Sequence, residues 1–134
     1  PAVPNSTGAA GVMSLGGSNI SELGSLDLQA SGLPLDTFGF FIASNASDLV
    51  PMPGGSLGTL CLGGPISRFA EPGEIGNSGS TGAFSLEIDP GVLPGPLGPI
   101  VPAFGERWHF QAWHRDANPT VGSNFTAGVT IRIF

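Results

Sequence analysis

Two histidines and one aspartate are the side chains best suited to chemistry in this sequence, and all three lie within residues 107–116. Imidazole and carboxylate groups bind zinc and act as general bases. Successive side chains of a strand point to opposite faces, so His109 and His114, five residues apart, cannot hold one ion together. We therefore expect both imidazoles at the surface or partly buried, and Asp116 beside them in a structural role. We predict no catalytic residue, no metal site and no cofactor.

Other catalytic patterns are missing from the sequence. The serines occur in turns without a G-x-S-x-G nucleophile elbow, and the Gly-Gly pairs lack the lysine of a phosphate loop. Glu71 and Glu74 flank a Pro-Gly turn and are expected to be solvated rather than paired for acid–base work. Cys61 lies in an apolar run and is predicted to be a small buried hydrophobe. These observations predict that the protein is not an enzyme.

The composition indicates a folded and weakly charged domain. Of 134 residues, 22 are Gly and 13 are Pro, but 40% are hydrophobic and only 10% are charged. The four cationic residues are all Arg, and the net charge is −6, which argues against nucleic acid and anionic lipid as partners. No apolar run approaches the roughly 18 residues of a membrane span, so we predict no membrane insertion.

Strand patterns recur along the chain and helix patterns do not. Alternating apolar residues predict strands at residues 25–31, 37–43, 57–62, 66–70, 83–89, 107–115 and 127–134. Proline and glycine predict a loop at residues 44–55 and a surface connection or edge at residues 90–102. This spacing predicts an all-β fold, an Ig-like or jelly-roll Greek-key β-sandwich, with an N-terminal extension strand.

Alternation within two of these strands assigns side chains to faces. In residues 37–43, Phe38, Phe40 and Ile42 share one face and Phe41 takes the other. In residues 107–115, one face is predicted to hold Trp108, Phe110 and Ala112, and the other His109, Gln111 and Trp113. Core packing is expected for Trp108, whereas Trp113 is a candidate sugar-stacking side chain.

Residues 1–24 form a candidate donor strand ahead of a sandwich domain at residues 25–134. No charged side chain occurs from Pro1 to Ser21, and residues 7–15 are small or apolar on both faces. Such a pattern is typical of a strand buried between two others, with its partner in its own sheet or in a neighbouring subunit. The residues predicted to mediate self-assembly are Ala9, Ala10, Val12, Met13 and Leu15.

Four Asn-x-Ser/Thr sequons are candidate glycosylation sites, and they begin at Asn5, Asn19, Asn45 and Asn124. The single cysteine excludes an intrachain disulfide. The chain starts at Pro1 without a methionine, from which we expect a processed N terminus. A surface rich in Ser, Thr, Asn and Gly is typical of secreted and adhesive proteins.

Several segments together resemble a known but uncharacterised module. They include Pro4-Asn5-Ser6-Thr7-Gly8, Phe110-Gln111-Ala112-Trp113-His114-Arg115-Asp116 and Ser123-Asn124-Phe125-Thr126. The chain resembles, in order and over nearly its whole length, a module of secreted and surface proteins of environmental Gram-negative bacteria. That family has no assigned activity, and the resemblance implies export and an immunoglobulin-like β fold. The small size and uncharged extension are also similar in design to pilins that assemble by donor-strand exchange.

The predicted function is therefore structural. We expect a secreted or cell-surface subunit of a pilus-like fibre, whose partners are other copies of itself, joined by insertion of the N-terminal strand into another copy. The alternative is a carbohydrate-binding or adhesive module, with glycans as partners and Trp113 as a sugar contact.

Overall fold

The protein is all-β in the computed structural model, which describes residues 3–17, 25–56, 58–95, 97–116 and 122–133. Within these ranges there is no α-helix, and a 3-10 turn is present at Pro53–Gly55. The prediction of an all-β sandwich is confirmed. In the same ranges, no helix has the length and apolar character needed to cross a membrane.

The described residues form strands that we number in chain order. They are β1 Val12–Gly17, β2 Leu26–Ser31, β3 Phe38–Ser44, β4 Ala46–Pro51, β5 Thr59–Gly63, β6 Ser67–Phe69, β7 Gly76–Asn77, β8 Phe84–Ile88, β9 Glu106–Asp116, β10 Gly122–Phe125 and β11 Val129–Ile133. Each of the seven strands predicted from residue 25 onward has a counterpart among them, with ends shifted by at most two residues. The N-terminal strand, predicted at residues 7–15, is found at Val12–Gly17.

Sheet A contains β1, β2 and β8 in that spatial order, and every pairing is antiparallel. In β2, Leu26, Leu28 and Ala30 are buried, while Asp27 and Gln29 are exposed. This period-2 pattern arises because one face of the sheet packs on the core and the other meets solvent. The N-terminal strand β1 thus has its partner in its own sheet, and among the described residues it pairs only with β2.

Sheet B is built around the long strand β9. Strand β3 pairs along one edge of β9 and continues the sheet to β6 and β7. On the other edge, β10 pairs with Trp113–Asp116 and β11 with Glu106–Phe110, so the two strands follow each other along one side. Between them, the Thr126 hydroxyl accepts a hydrogen bond from the Ala112 N–H at 3.0 Å, and the Thr126 N–H donates to the Ala112 carbonyl at 3.0 Å.

Strands β4 and β5 form a hairpin that lies on the face of sheet B turned away from sheet A. The prediction of a loop at residues 44–55 is therefore wrong for β4. Most of β4 is exposed or half-exposed, and its pairing with β5 is irregular between Ser47 and Val50. Because β4 has no alternation of buried apolar residues, its sequence does not indicate a strand. Its extended conformation depends on pairing with β5, Thr59–Gly63.

The main core lies between sheets A and B. Leu28, Phe41, Trp108 and Phe110 are all at most 2% exposed and belong to one cluster. Burying an aromatic or branched apolar side chain stabilises a fold by about 1.5–3 kcal/mol, so this cluster is the main source of stability. The cluster also includes Met13 of β1, which joins the N-terminal strand to the core.

A second, smaller cluster lies between sheet B and the hairpin. It contains Ile42, Leu62 and Phe125, with Phe40 and Trp113 packed against it. Gln111 fastens the hairpin to the sheet: its Nε2 donates to the Thr59 carbonyl at 2.8 Å, and its Oε1 accepts from the Cys61 N–H at 3.0 Å. Sheet B thus has apolar groups on both faces because it is the middle of three layers.

Residues 90–102 form turns, as the prolines predict, within the part of this connection that the structure describes. Leu93 and Ile100 form an isolated antiparallel bridge, with reciprocal hydrogen bonds of 2.7 Å between their backbones. Leu93 is fully buried, whereas Val101 is 74% exposed. The connection is therefore tied to the core by Leu93.

Candidate functional site

A polar turn begins the N-terminal segment, which we define as residues 3–17. The Asn5 N–H donates to the Ala9 carbonyl at 2.9 Å, and the Asn5 Oδ1 accepts from the Thr7 N–H and hydroxyl at 2.9 and 2.7 Å. The Asn5 side chain is 1% exposed, and its Nδ2 donates to the Gly32 carbonyl at 2.9 Å. One asparagine therefore folds the turn and attaches it to the end of β2.

Two buried polar residues of sheet B receive this turn. Asp116 and Asn124 are 1% and 0% exposed, and the Asp116 Oδ1 accepts a hydrogen bond from the Ser6 N–H at 3.0 Å. The Asn124 Nδ2 lies 3.4 Å from the Val3 carbonyl, 3.3 Å from the Pro4 carbonyl and 3.4 Å from the Asp116 Oδ2. A buried carboxylate needs such donors because an unpaired one is costly. Four residues hydrogen-bond the segment from outside it, and we call them its seat: Asp116, Asn124, Gly32 and Ala127, whose N–H donates to the Gly11 carbonyl.

Gly11 lies where the backbone of the N-terminal segment passes close to the side chains of Thr126 and Leu33. A Cβ at this position would lie 2.9 Å from the Thr126 Cγ2 and 3.0 Å from the Leu33 Cδ2. The Gly11 carbonyl accepts a hydrogen bond from the Ala127 N–H at 3.1 Å. Glycine therefore allows the backbone to pass between Thr126 and Leu33 before it enters β1.

The residues predicted to mediate self-assembly divide between the core and the surface. Met13 is 5% exposed and Leu15 packs partly buried against the main core. Ala10 is half-buried, whereas Ala9 is exposed and Val12 is 52% exposed. The prediction that both faces of this strand are buried is wrong for the single chain, because β1 lies at the edge of sheet A and one face meets solvent.

The four sequons occupy different environments. Asn5 and Asn124 are buried with their amide nitrogens facing backbone carbonyls, so the folded domain has no room for a glycan at either. Asn45 is exposed at the turn between β3 and β4. Asn19 lies outside the described residues. Polar Asn-Ser-Thr patterns are typical of surfaces, but Asn5 and Asn124 instead form buried contacts between the segment and its seat.

The histidines lie on opposite faces of β9, as the spacing predicts. His114 is fully buried on the core side, which corrects the expectation of a surface or partly buried ring. Its Nδ1 faces the Arg115 carbonyl at 2.9 Å and must donate, while its Nε2 has no hydrogen-bond partner among the described residues. Burial lowers the pKa of His114, although the Arg115 carbonyl and the Asp116 charge oppose this shift.

His109 is half-buried on the other face of β9, where its Nδ1 lies 2.7 Å from the Thr130 hydroxyl. Partial burial and then the positive charge of Arg107 lower the pKa of His109. Among the described residues, no group of three or more His, Cys, Asp or Glu side chains is arranged to hold a metal ion. Cys61 is half-buried rather than buried, with its Sγ 3.6 Å from the Gln111 Nε2.

Two open grooves flank the β4–β5 hairpin. The larger, of about 690 Å³, lies between β4 and β11 and is lined by Asp48, Leu49, Cys61, His109 and Thr130, among others. The smaller, of about 270 Å³, contains Trp113 together with Phe40, Arg68 and Phe125. Trp113 is half-buried. The centroid of its ring lies 5.0 Å from the centroid of the Phe40 ring and 5.1 Å from the Arg115 guanidinium carbon.

Comparisons of the chain with protein-family models, with curated proteins and with solved structures found no match.

Proposed function

We propose that the protein is a structural subunit of an extracellular, pilus-like fibre at the cell surface. In this proposal the N-terminal segment of one copy takes, in the next copy, the place that it has in its own domain. The supporting observation is the nature of its contacts. Beyond its own turn, the segment is held by residues far away in sequence, with separations of 27 to 121 residues in its side-chain hydrogen bonds.

Contacts between distant parts of a chain can form equally well between two chains. The Asp116 carboxylate, the Gly32 carbonyl and the β2 edge would meet the same groups if residues 3–17 came from a neighbour. Domain swapping of this kind keeps every native contact, so its main cost is the entropy of association. A strand added to a sheet edge obtains affinity from backbone hydrogen bonds and specificity from side chains such as Met13.

The length of the connection is compatible with exchange. Residues 18–25 lie between β1 and β2 in the sequence. A fully extended chain spans at most about 3.3–3.6 Å per residue, so these eight residues could reach roughly 27 Å. That distance is comparable to the width of a small domain and allows β1 to reach an adjacent copy.

Disulfide trapping tests whether the segment is exchanged. Ser14 and Gln29 are cross-strand partners in β1 and β2, and both side chains are exposed. In a Cys61→Ala background, Ser14→Cys with Gln29→Cys should give a covalent ladder in assembled material on a non-reducing gel. The matched control is Gln29→Cys with Ser85→Cys, which pairs β2 with β8 and should give covalent monomers. If both pairs give monomers only, the strand is not exchanged and the proposal is wrong.

A carbohydrate-binding module is the second proposal. It is favoured by the position of Trp113 in the groove of about 270 Å³, beside Phe40 and Phe125. The indole face is partly occupied by the Arg115 guanidinium, which leaves a sugar ring a smaller stacking surface. Polysaccharide pull-down with the wild-type protein and Trp113→Ala tests it, and loss of saturable binding in the variant is the expected result.

A further inference from the structure

All four arginines of the chain project from the same face of sheet B, the face turned away from sheet A. Arg107 lies directly opposite Arg132 in the pairing of β9 with β11, and Arg68 lies opposite Ile42 in the pairing of β6 with β3. Arg115 follows Trp113 by two positions on β9 and is on the same face by alternation. The four side chains are exposed. The acidic residues of β9, Glu106 and Asp116, belong to the alternate, core-facing set.

Two of these arginines flank exposed aromatic surface. Arg68 and Trp113 line the same groove, and the Arg115 guanidinium lies 5.1 Å from the Trp113 ring centroid. Phe38 is 59% exposed, and by alternation it shares a face with Phe40. We call Phe38, Phe40, Trp113, Arg68 and Arg115 the Arg–aromatic patch. Aromatic residues with arginine are the composition that is enriched at protein–protein interfaces.

The outer face of sheet A has the opposite character. Asp27 lies directly opposite Glu87 in the pairing of β2 with β8, and both are exposed. Asp89 follows Ile88 at the end of β8 and is also exposed. Like charges directly opposite each other on a sheet are destabilising, so this arrangement costs the single chain stability. We call Asp27, Glu87 and Asp89 the acidic patch. The remaining outward residues of the sheet, including Ser14, Gln29 and Ser85, are small or uncharged.

We infer that the Arg–aromatic patch of one copy docks on the acidic patch of a second copy. The two patches lie on opposite faces of the sandwich, and their charges are complementary. A contact between two different surfaces of identical subunits leaves one patch free at each end, so it extends into a filament or stack instead of closing as a dimer. This inference rests on the proposal that copies assemble, but the contact is separate from strand exchange, which uses the seat and the β2 edge.

Charge reversal provides a test with a built-in rescue. The first variant, Arg68→Glu with Arg115→Glu, makes both patches acidic, and the second, Asp27→Arg with Glu87→Arg, makes both patches basic. Each variant alone should associate about 30-fold or more weakly than the wild type, because like charges then face each other. An equimolar mixture should associate again, because acidic and basic copies alternate. The measurement is sedimentation velocity of the full chain in 0.1 M NaCl and in 1 M NaCl, and at 1 M screening limits the attraction to about 3 Å.

Arg107→Glu with Arg132→Glu is the matched control. It makes the same double change of charge on the same face of sheet B, at the other end of β9 from the Arg–aromatic patch. It should leave association within about twofold of the wild type, since exposed charges more than about 10 Å apart are largely screened at 0.1 M salt. An equal loss in this control would overturn the inference by showing that net charge, not the patch, governs association.

The outcomes separate this inference from the proposed function. If the mixture fails to associate while the Ser14–Gln29 cysteine pair still gives a ladder, the docking inference is wrong and strand exchange stands. If the mixture recovers association while that pair gives only monomers, docking stands and strand exchange is wrong. If wild-type copies do not associate and the patch instead retains polyuronate in an Arg115-dependent manner, the docking inference is overturned in favour of an anionic glycan.

Discussion

The Asp116 carboxylate accepts a hydrogen bond from the Ser6 backbone N–H at 3.0 Å, across 110 residues of sequence. The sequence predicts a structural role for Asp116, and in the structure its carboxylate holds the N-terminal segment. Asp116, which resembles a catalytic carboxylate in the sequence, therefore joins the N-terminal segment to the end of β9. Its burial and its Asn124 neighbour support this structural role.

Asn124→Asp should release the N-terminal segment. The substitution places a second carboxylate 3.4 Å from the Asp116 Oδ2 and turns acceptors toward the Val3 and Pro4 carbonyls. Leaving a buried charge without a partner costs about 3–5 kcal/mol. Limited proteolysis should cut within residues 3–17, and the thermal midpoint should fall. Asn45→Asp, at an exposed sequon, is the control and should change neither; equal stability of the two variants would contradict the role of the seat.

Gly11→Ala should weaken the segment without a change of charge. The added methyl group would lie 2.9 Å from the Thr126 Cγ2 and 3.0 Å from the Leu33 Cδ2. Overpacking of this kind typically costs about 1–3 kcal/mol of unfolding free energy. Gly16→Ala, whose nearest neighbour is the Asp27 Cβ at 3.9 Å, should be within about 0.5 kcal/mol of the wild type. Denaturant unfolding of both variants measures the difference, and identical midpoints would show that the passage is not tight.

Phe110→Ala should abolish folding of the domain. Phe110 is fully buried at the centre of the main core, and truncation of such a side chain costs about 3–5 kcal/mol, a large share of a small domain's stability. Phe38→Ala removes the same group from a side chain that is 59% exposed. Its thermal midpoint should be close to that of the wild type. Soluble yield and melting of the two variants check this, and a well-folded Phe110→Ala protein would contradict the description of the core.

His114 should make the domain less stable in mild acid. Its pKa in the fold is below the ordinary value of 6.5, so as the pH falls through 6.5 the unfolded chain takes up a proton before the native state does. The unfolding free energy should therefore fall from about pH 7 toward pH 5, above the range in which exposed carboxylates titrate.

His114→Gln should reduce the dependence of the unfolding free energy on pH between about pH 7 and pH 5, whatever its effect on absolute stability. We call this dependence the pH slope. Removal of the ring can itself destabilise the domain, because His114 is fully buried. His109→Gln is the control, and it should remove a smaller part of the slope because His109 is half-buried. Urea unfolding at a series of pH values measures both, and an unchanged slope in His114→Gln would contradict the prediction.

Alternation along strands predicted much of the fold. The period-2 patterns located β8 and β9, and they placed His109 and His114 on opposite faces. Alternation also separated Phe41 from Phe38 and Phe40, but it did not say which side faces the main core. Both sides of β3 are apolar because sheet B lies between sheet A and the hairpin, and only the three-dimensional packing reveals that second layer.

The seat of the N-terminal segment was missed for a related reason. Sequence patterns treated Asn5 and Asn124 as surface sequons, since Asn and Ser are usually exposed. A signal was nevertheless present: His114 and Asp116 share the face of Trp108 and Phe110, so alternation places two polar residues on the inner side of β9. Polar residues at inward positions need buried partners, and those partners came from the far end of the chain.

The wide sequence separation between Ser6 and Asp116 also determines the order of folding. Synthesis proceeds at about 5–20 residues per second, so Asp116 emerges roughly 5–20 s after Ser6. Until β9 and β10 exist, the N-terminal turn has no seat in its own chain, and long-range pairing is slow even afterwards. Under the proposed strand exchange, a completed neighbour that has not yet bound its own segment would capture the free one during that interval. The choice between a closed monomer and a growing chain would then be kinetic, and it would depend on the local concentration of newly made copies.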